Sequence, residues 1–120
     1  MAEDRKTIVI KEGVNVAEEV VAIIAGLAAT EVDGVNSLAG NLTNELISKA
    51  GATRLAKGVV IGADAAGDIT VKVALNLDYG YEIPAVSSQV QEKVSSAIEN
   101  MTGLKVKSVD VRIATVSVAN

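Results

Sequence analysis

Few residues in this chain could do chemistry, and their spacing decides what each cluster is good for. Asp64 and Asp68 bracket Ala65-Ala66-Gly67. Two carboxylates four residues apart could share a divalent cation, but the third and fourth oxygen ligands of a calcium loop are missing. A solvated turn is the better reading. Lys57-Gly58, with Gly62 beyond, has the ingredients of a phosphate loop in the wrong order. That loop needs Gly-Lys-Ser/Thr entering a helix, whereas here glycine follows lysine inside a strand-like run. Glu18-Glu19 suits the positive end of a helix better than a catalytic pair. Lys105, Lys107 and Arg112 are interleaved with Asp110 and read as a solvated sheet face. Tyr79 and Tyr81 flank Gly80, where they could line a small groove or simply seal the end of a sheet with their hydroxyls in water.

The composition excludes more than these clusters offer. The 120 residues contain no Cys and no His, which removes thiol nucleophiles, disulfides, the usual general base and the commonest transition-metal ligands. Catalytic residues, cofactor-binding residues and metal ligands are therefore expected to be none. With no Trp, no Phe, two Tyr and a net charge of −4, the chain lacks base-stacking platforms and the basic footprint of a nucleic-acid binder. The length corresponds to a single domain spanning 1–120. Acids at Glu3 and Asp4 argue against a signal peptide. The longest apolar run, Val20 to Ala29, has half the roughly 20 residues a bilayer span requires. The expectation is a cytoplasmic protein with no direct membrane insertion.

The elements that must position these residues follow from periodicity. Val, Ala, Ile and Leu number 19, 18, 10 and 8, so strands and closely packed small-residue helices must share the core. Thr7 to Lys11 reads as a first strand. Asn15 with Glu18 forms a capping-box variant, and Val16, Val20, Ile23, Ile24 and Leu27 recur at helical spacing through 16–32. Residues 36–56 read as a loop with a short helix. Lys57 to Ala63 and Ile69 to Leu77 form a hairpin across the Asp64–Asp68 turn. Pro84 opens a second helix over 84–101 with Val86, Val90, Val94, Ala97, Ile98 and Met101 on one stripe. A last strand covers 104–118, and its alternation slips after Val106 and again after Ile113, which predicts bulges. The expected fold is α+β: a two-layer β-α-β-β-α-β domain of ferredoxin-like order, with two helices packed on one face of a small sheet. Val20, Ile23, Leu27, Val73, Leu75, Val90, Val94, Val111 and Ile113 are the expected core.

Several blocks together resemble the alkaline shock / general stress protein family of Gram-positive bacteria, the envelope stress response proteins. They are Val20–Ala25, Glu31-Val32-Asp33-Gly34-Val35, Lys57-Gly58-Val59-Val60-Ile61, and the run from Leu75 through Tyr79-Gly80 and Ile83-Pro84. Further on, Val90-Gln91, Met101-Thr102-Gly103-Leu104 and Val109-Asp110-Val111 continue the match. The resemblance covers residues 6–116, is poorest over 36–56, and brings no catalytic motif. It implies a non-enzymatic stress-response protein acting as a cell-envelope-associated scaffold, cytoplasmic and peripheral to the membrane through a small integral membrane anchor protein. The alternative it leaves open is a regulatory module binding a lipid-biosynthesis enzyme.

A homo-oligomer is also expected. On the 16–32 helix, Val21, Ala22, Ala25 and Ala29 form a small apolar face that would let another backbone approach closely. Val116 and Val118 belong to a tail without charged gatekeepers. A heterologous contact between these two surfaces would give a head-to-tail assembly.

Overall fold

The computed structural model describes residues 7–11, 13–39 and 58–118. Within them the α+β expectation holds. The chain begins with β1 (Thr7–Lys11) and β2 (Val14–Ala17), followed by α1 (Glu18–Thr30), β3 (Val35–Leu38), β4 (Val59–Ala63) and β5 (Ile69–Asp78). It closes with α2 (Ile83–Thr102) and β6 (Val106–Ser117). The expected short helix within 36–56 falls mostly outside the described residues, except that Val35–Leu38 forms β3.

β5 organises the sheet. Ile69, Val71, Val73, Leu75 and Leu77 are almost wholly buried on one face, and every second residue between them faces away from the core. β4 pairs antiparallel with its first half (Val59↔Val73 to Ala63↔Ile69), and β3 pairs antiparallel with its second half (Val35↔Leu77, Leu38↔Leu75). Both lie on the same side of β5 and meet at Ala74, which accepts from the Ala39 N–H and donates to Gly58 O, each at 2.8 Å. They behave as one composite strand interrupted between Ala39 and Gly58. On the other side β6 runs parallel to β5 after the α2 crossover. Its register slips between Val106 and Ser108 and between Ile113 and Thr115, at the two places where the sequence alternation breaks.

The turn between β4 and β5 is built by Asp64. Its Oδ1 accepts from the Ala66 and Asp68 backbone N–H groups at 3.0 Å each, an Asx turn. Helix α2 follows its sequence signals closely, with Pro84 in the first turn and Gly103 ending it in the left-handed region at φ +79°.

The start of the chain departs from the expectation. Residues 14–17 are strand, and β1 pairs with β2 in a separate two-stranded hairpin around Gly13 at φ +83°. The first strand therefore lies outside the main sheet, and the β-α-β-β-α-β order is replaced by β-β-α-β-β-β-α-β. Val14 and Val16 are β-branched and alternate with Asn15, and pairing with Thr7–Lys11 makes them strand before the helix begins. Asn15 accordingly caps nothing. Ala17 precedes the helix without a side-chain cap, and Glu18 and Glu19 sit in its first turn, where they favour its positive end.

The core list is corrected as well. Val73, Leu75, Val90 and Val94 are buried as expected, but Val20 and Leu27 are 45% and 46% exposed, and Ile23, Val111 and Ile113 are half-buried. Helix α1 has turned the other way. It hides Val21, Ala22, Ile24, Ala25, Gly26, Ala28 and Ala29, leaves Ile23 half-buried and turns Val20 and Leu27 to solvent. Small side chains allow close backbone approach to α2 and the sheet, where the large β5 residues already fill the volume.

Gly34 is the tightest joint. It sits at φ +98°, its carbonyl accepts from the Asp78 N–H at 2.8 Å, and a Cβ there would fall 2.8 Å from the Tyr81 ring. Gly67 has a similar φ, +89°, with open space around it. Gly67→Ala should cost about 1–2 kcal/mol from backbone strain alone. Gly34→Ala should cost about 2–4 kcal/mol, because overpacking against Tyr81 adds to the strain. Chemical denaturation of the two variants tests this; equal losses would show that the Tyr81 contact yields freely.

Candidate functional site

The helices cover one face of the sheet, and the described residues leave the other face open. An open trough of about 720 Å³ runs across it, lined among others by Val60, Lys72, Ala74, Asp110, Arg112 and Ala114. Strand alternation and register explain the set. Lys72 and Ala74 point away from the core of β5, Val60 lies opposite Lys72 on β4, and Asp110 and Arg112 lie beside Lys72 and Ala74 on β6. Toward the far end the face becomes a ladder of hydrogen-bonded polar groups. Thr115 Oγ1 donates to Asn76 Oδ1 at 2.8 Å, Asn76 Nδ2 donates to Ser37 Oγ at 3.0 Å, and Asn36 Nδ2 donates to Asp78 Oδ1 at 2.9 Å. These bonds tie three strands together and fix the register of the face.

The trough holds, among the described residues, two cations, Lys72 and Arg112, and one carboxylate, Asp110. Among the described residues no three His, Cys, Asp or Glu side chains come close enough to share a metal ion. A second groove of about 320 Å³ lies between the end of α1 and α2, rimmed by Glu31, Asp33, Glu92 and Lys93, with Lys93 Nζ 3.9 Å from Glu31. Both partners are exposed, so the pair contributes little. Tyr79 and Tyr81 are both solvent-exposed, and the Tyr81 ring lies against Gly34.

The acids singled out in the sequence are placed as structural groups. Asp64 closes its turn, and its pKa is lowered chiefly by the backbone N–H of Asp68, with Ala66 and Lys107 Nζ at 3.4 Å adding to the effect. Because the folded value lies below the ordinary 3.8, the stabilisation is fully present above that value and is lost as pH falls through the lower folded one.

The residues proposed for self-association separate into two groups. Val21, Ala25 and Ala29 are completely buried and Ala22 nearly so, which removes that helix face as a surface and with it the head-to-tail contact. The physical reason is the one that inverted the helix: the small face is used inside the fold. Val116 and Val118 are exposed at the end of β6. Sequence reasoning missed the outward stripe of Val20, Ile23 and Leu27 because it assigned the larger residues to the core. The density of alanines on the opposite side was the available signal.

The profile of the alkaline shock protein family, described as having a cell envelope-related function, matches residues 7–118. Among curated proteins, uncharacterized protein YqhY of Bacillus subtilis is 38% identical over 101 residues, spanning 83% of this chain and 73% of that protein. Uncharacterized protein Spy1614 of Streptococcus pyogenes is 32% identical over 111 residues, 90% of this chain and 91% of that one. Among solved structures, a MamM CTD variant (H264A-E289A-C267S) aligns with a TM-score of 0.48 at 16% identity, covering 82% of this chain and 94% of that one.

Two measurements check the site description. Ala25→Leu should lose about 1–3 kcal/mol by overpacking, whereas Leu27→Ala should change stability by no more than about 0.5 kcal/mol. The reverse ranking in thermal melts would restore the opposite helix orientation. Asp64→Asn should flatten the acid limb of a stability-versus-pH curve below the ordinary carboxylate range, with its loss of stability largest near neutrality and smaller in acid, where the wild-type carboxyl is itself protonated. An unchanged acid limb would show that Asp64 does not carry that dependence.

Proposed function

This chain belongs to the alkaline shock protein family, whose function is cell envelope-related, and from that membership we propose that it is a non-enzymatic scaffold acting through protein–protein contacts. In this reading it is cytoplasmic and held at the membrane by a small integral membrane protein. No helix among the described residues is long and apolar enough to cross a bilayer by itself.

The observation that carries the reading is the inverted helix. Val20 and Leu27 lie two turns apart on one side of α1, each about half exposed, with half-buried Ile23 between them. A helix that buries Ile24 with its alanines yet leaves Val20 and Leu27 exposed offers a docking stripe to another chain. The open polar trough adds a second recognition surface on the opposite layer, built from Lys72, Asp110 and Arg112. Neither surface carries the convergent acid–base or nucleophilic groups that chemistry would need.

The test is photo-crosslinking from position 27 in host cells, followed by identification of the adduct. Recovery of a small integral membrane protein, lost in the Val20→Ser/Leu27→Ser double variant, is the expected result. Recovery of a soluble lipid-biosynthesis enzyme instead would replace the scaffold reading with the regulatory one. Equal recovery with the double variant would show that the stripe is not the docking surface.

A further inference from the structure

β6 forms one edge of the sheet, and the direction of its backbone can be worked out from β5. Both the N–H and the C=O of Ala74 are engaged on the β3/β4 side, so the neighbouring odd-numbered residues Val71, Val73 and Leu75 turn their backbone groups toward β6. The ends agree: the Ile69 N–H donates to Lys105 O at 2.8 Å, and the Tyr79 N–H donates to Ser117 O at 2.9 Å. With Lys72 opposite Asp110, the β6 residues that bond to β5 between the two register slips are Ser108, Asp110 and Arg112. Val109, Val111 and Ile113 therefore point their N–H and C=O groups away from the sheet. Gln91 Nε2 of α2 donates to Val109 O at 2.9 Å from that outer side, which corroborates the assignment and leaves that carbonyl its second lone pair. No strand among the described residues pairs with this edge.

We propose that this edge pairs antiparallel with β6 of a second copy of the chain, in a two-fold register centred on Val111. In that register Val111 meets Val111 and Val109 meets Ile113. These are the outward-pointing residues, so each pair can exchange two backbone hydrogen bonds. Their side chains lie on the helix-covered face, where Val111 and Ile113 are left half-buried in the single chain. Between them Asp110 falls opposite Arg112 of the second copy, twice over by symmetry, at non-hydrogen-bonded positions where side chains approach most closely.

The charges select this arrangement. Charged residues on an edge usually prevent pairing, and a parallel in-register contact would set Asp110 against Asp110 and Arg112 against Arg112. The antiparallel register centred on Val111 turns the same residues into two opposite-charge pairs. The contact is isologous and closes as a dimer, extending the sheet and the trough across both copies. The inference stands independently of the envelope reading, since it concerns only the chain and its own copy.

Sedimentation velocity across a concentration series tests it on five samples: the full wild-type chain, Asp110→Arg, Arg112→Asp, the double variant, and a 1:1 mixture of the two single variants. The wild type should dimerise. Each single variant places like charges opposite one another and should weaken association about ten-fold or more. The double variant restores opposite charges and should recover the dimer, and the mixture should form a heterodimer. Val111→Pro guards against a variant that fails to fold, because it deletes an N–H that faces outward and should give a folded monomer by circular dichroism. A wild-type chain that stays monomeric at high micromolar concentration overturns the proposal. So do single variants that associate as tightly as the wild type, or a folded double variant that does not recover.

Discussion

The fold depends on one fully buried strand face. Ile69, Val71, Val73, Leu75 and Leu77 present an unbroken apolar surface, and every other element of the sheet takes its place by pairing with the strand that carries it. β4 and β3 share one side of β5 as a composite strand, and β6 takes the other. The layer of α1 and α2 exists to cover that surface. Each β5 side chain on this face is a β-branched or leucine residue, and the helices must fit the space that this surface leaves.

That requirement accounts for the orientation of α1. A helix presenting Val20, Ile23 and Leu27 inward would bring three large side chains to a layer already filled by Val90, Val94 and Ile98 of α2. Presenting Ala22, Ala25, Gly26 and Ala29 with only Val21 and Ile24 as larger side chains lets the backbones approach closely instead. The consequence for function is direct. Val20 and Leu27 on α1 and the polar face of the sheet are left at the surface, and the proposed contacts rest on them. The polar face is held in register by the Ser37–Asn76–Thr115 ladder, so Lys72, Asp110 and Arg112 are presented on a rigid platform.

Much of this could be read from the residues. Asp64 to Asp68 announced a turn, and Asp64 closes it with its own carboxylate. Pro84 and Gly103 marked the ends of α2. The two slips in the alternation of the last strand correspond to two real register shifts, because an extra residue in a strand must break both the side-chain period and the ladder at once. What failed was the beginning of the chain. Val14-Asn15-Val16 satisfies helical spacing to Val20 and strand alternation equally well, and only pairing with Thr7–Lys11 decides between them.

Residue types bounded the chemistry, and local periodicity marked most of the elements. Without His or Cys and with few aromatics, the classes of reaction and ligand were bounded before any fold was known, and the periods of 2 and 3.6 residues marked most strands and helices. Only the tertiary structure decided which face of α1 is inside, where β1 and β2 go, and which edge of the sheet is left free. Local periodicity records that two faces differ. It does not record what stands opposite each face, and burial is settled by the volume and backbone bonds of partners distant in the chain.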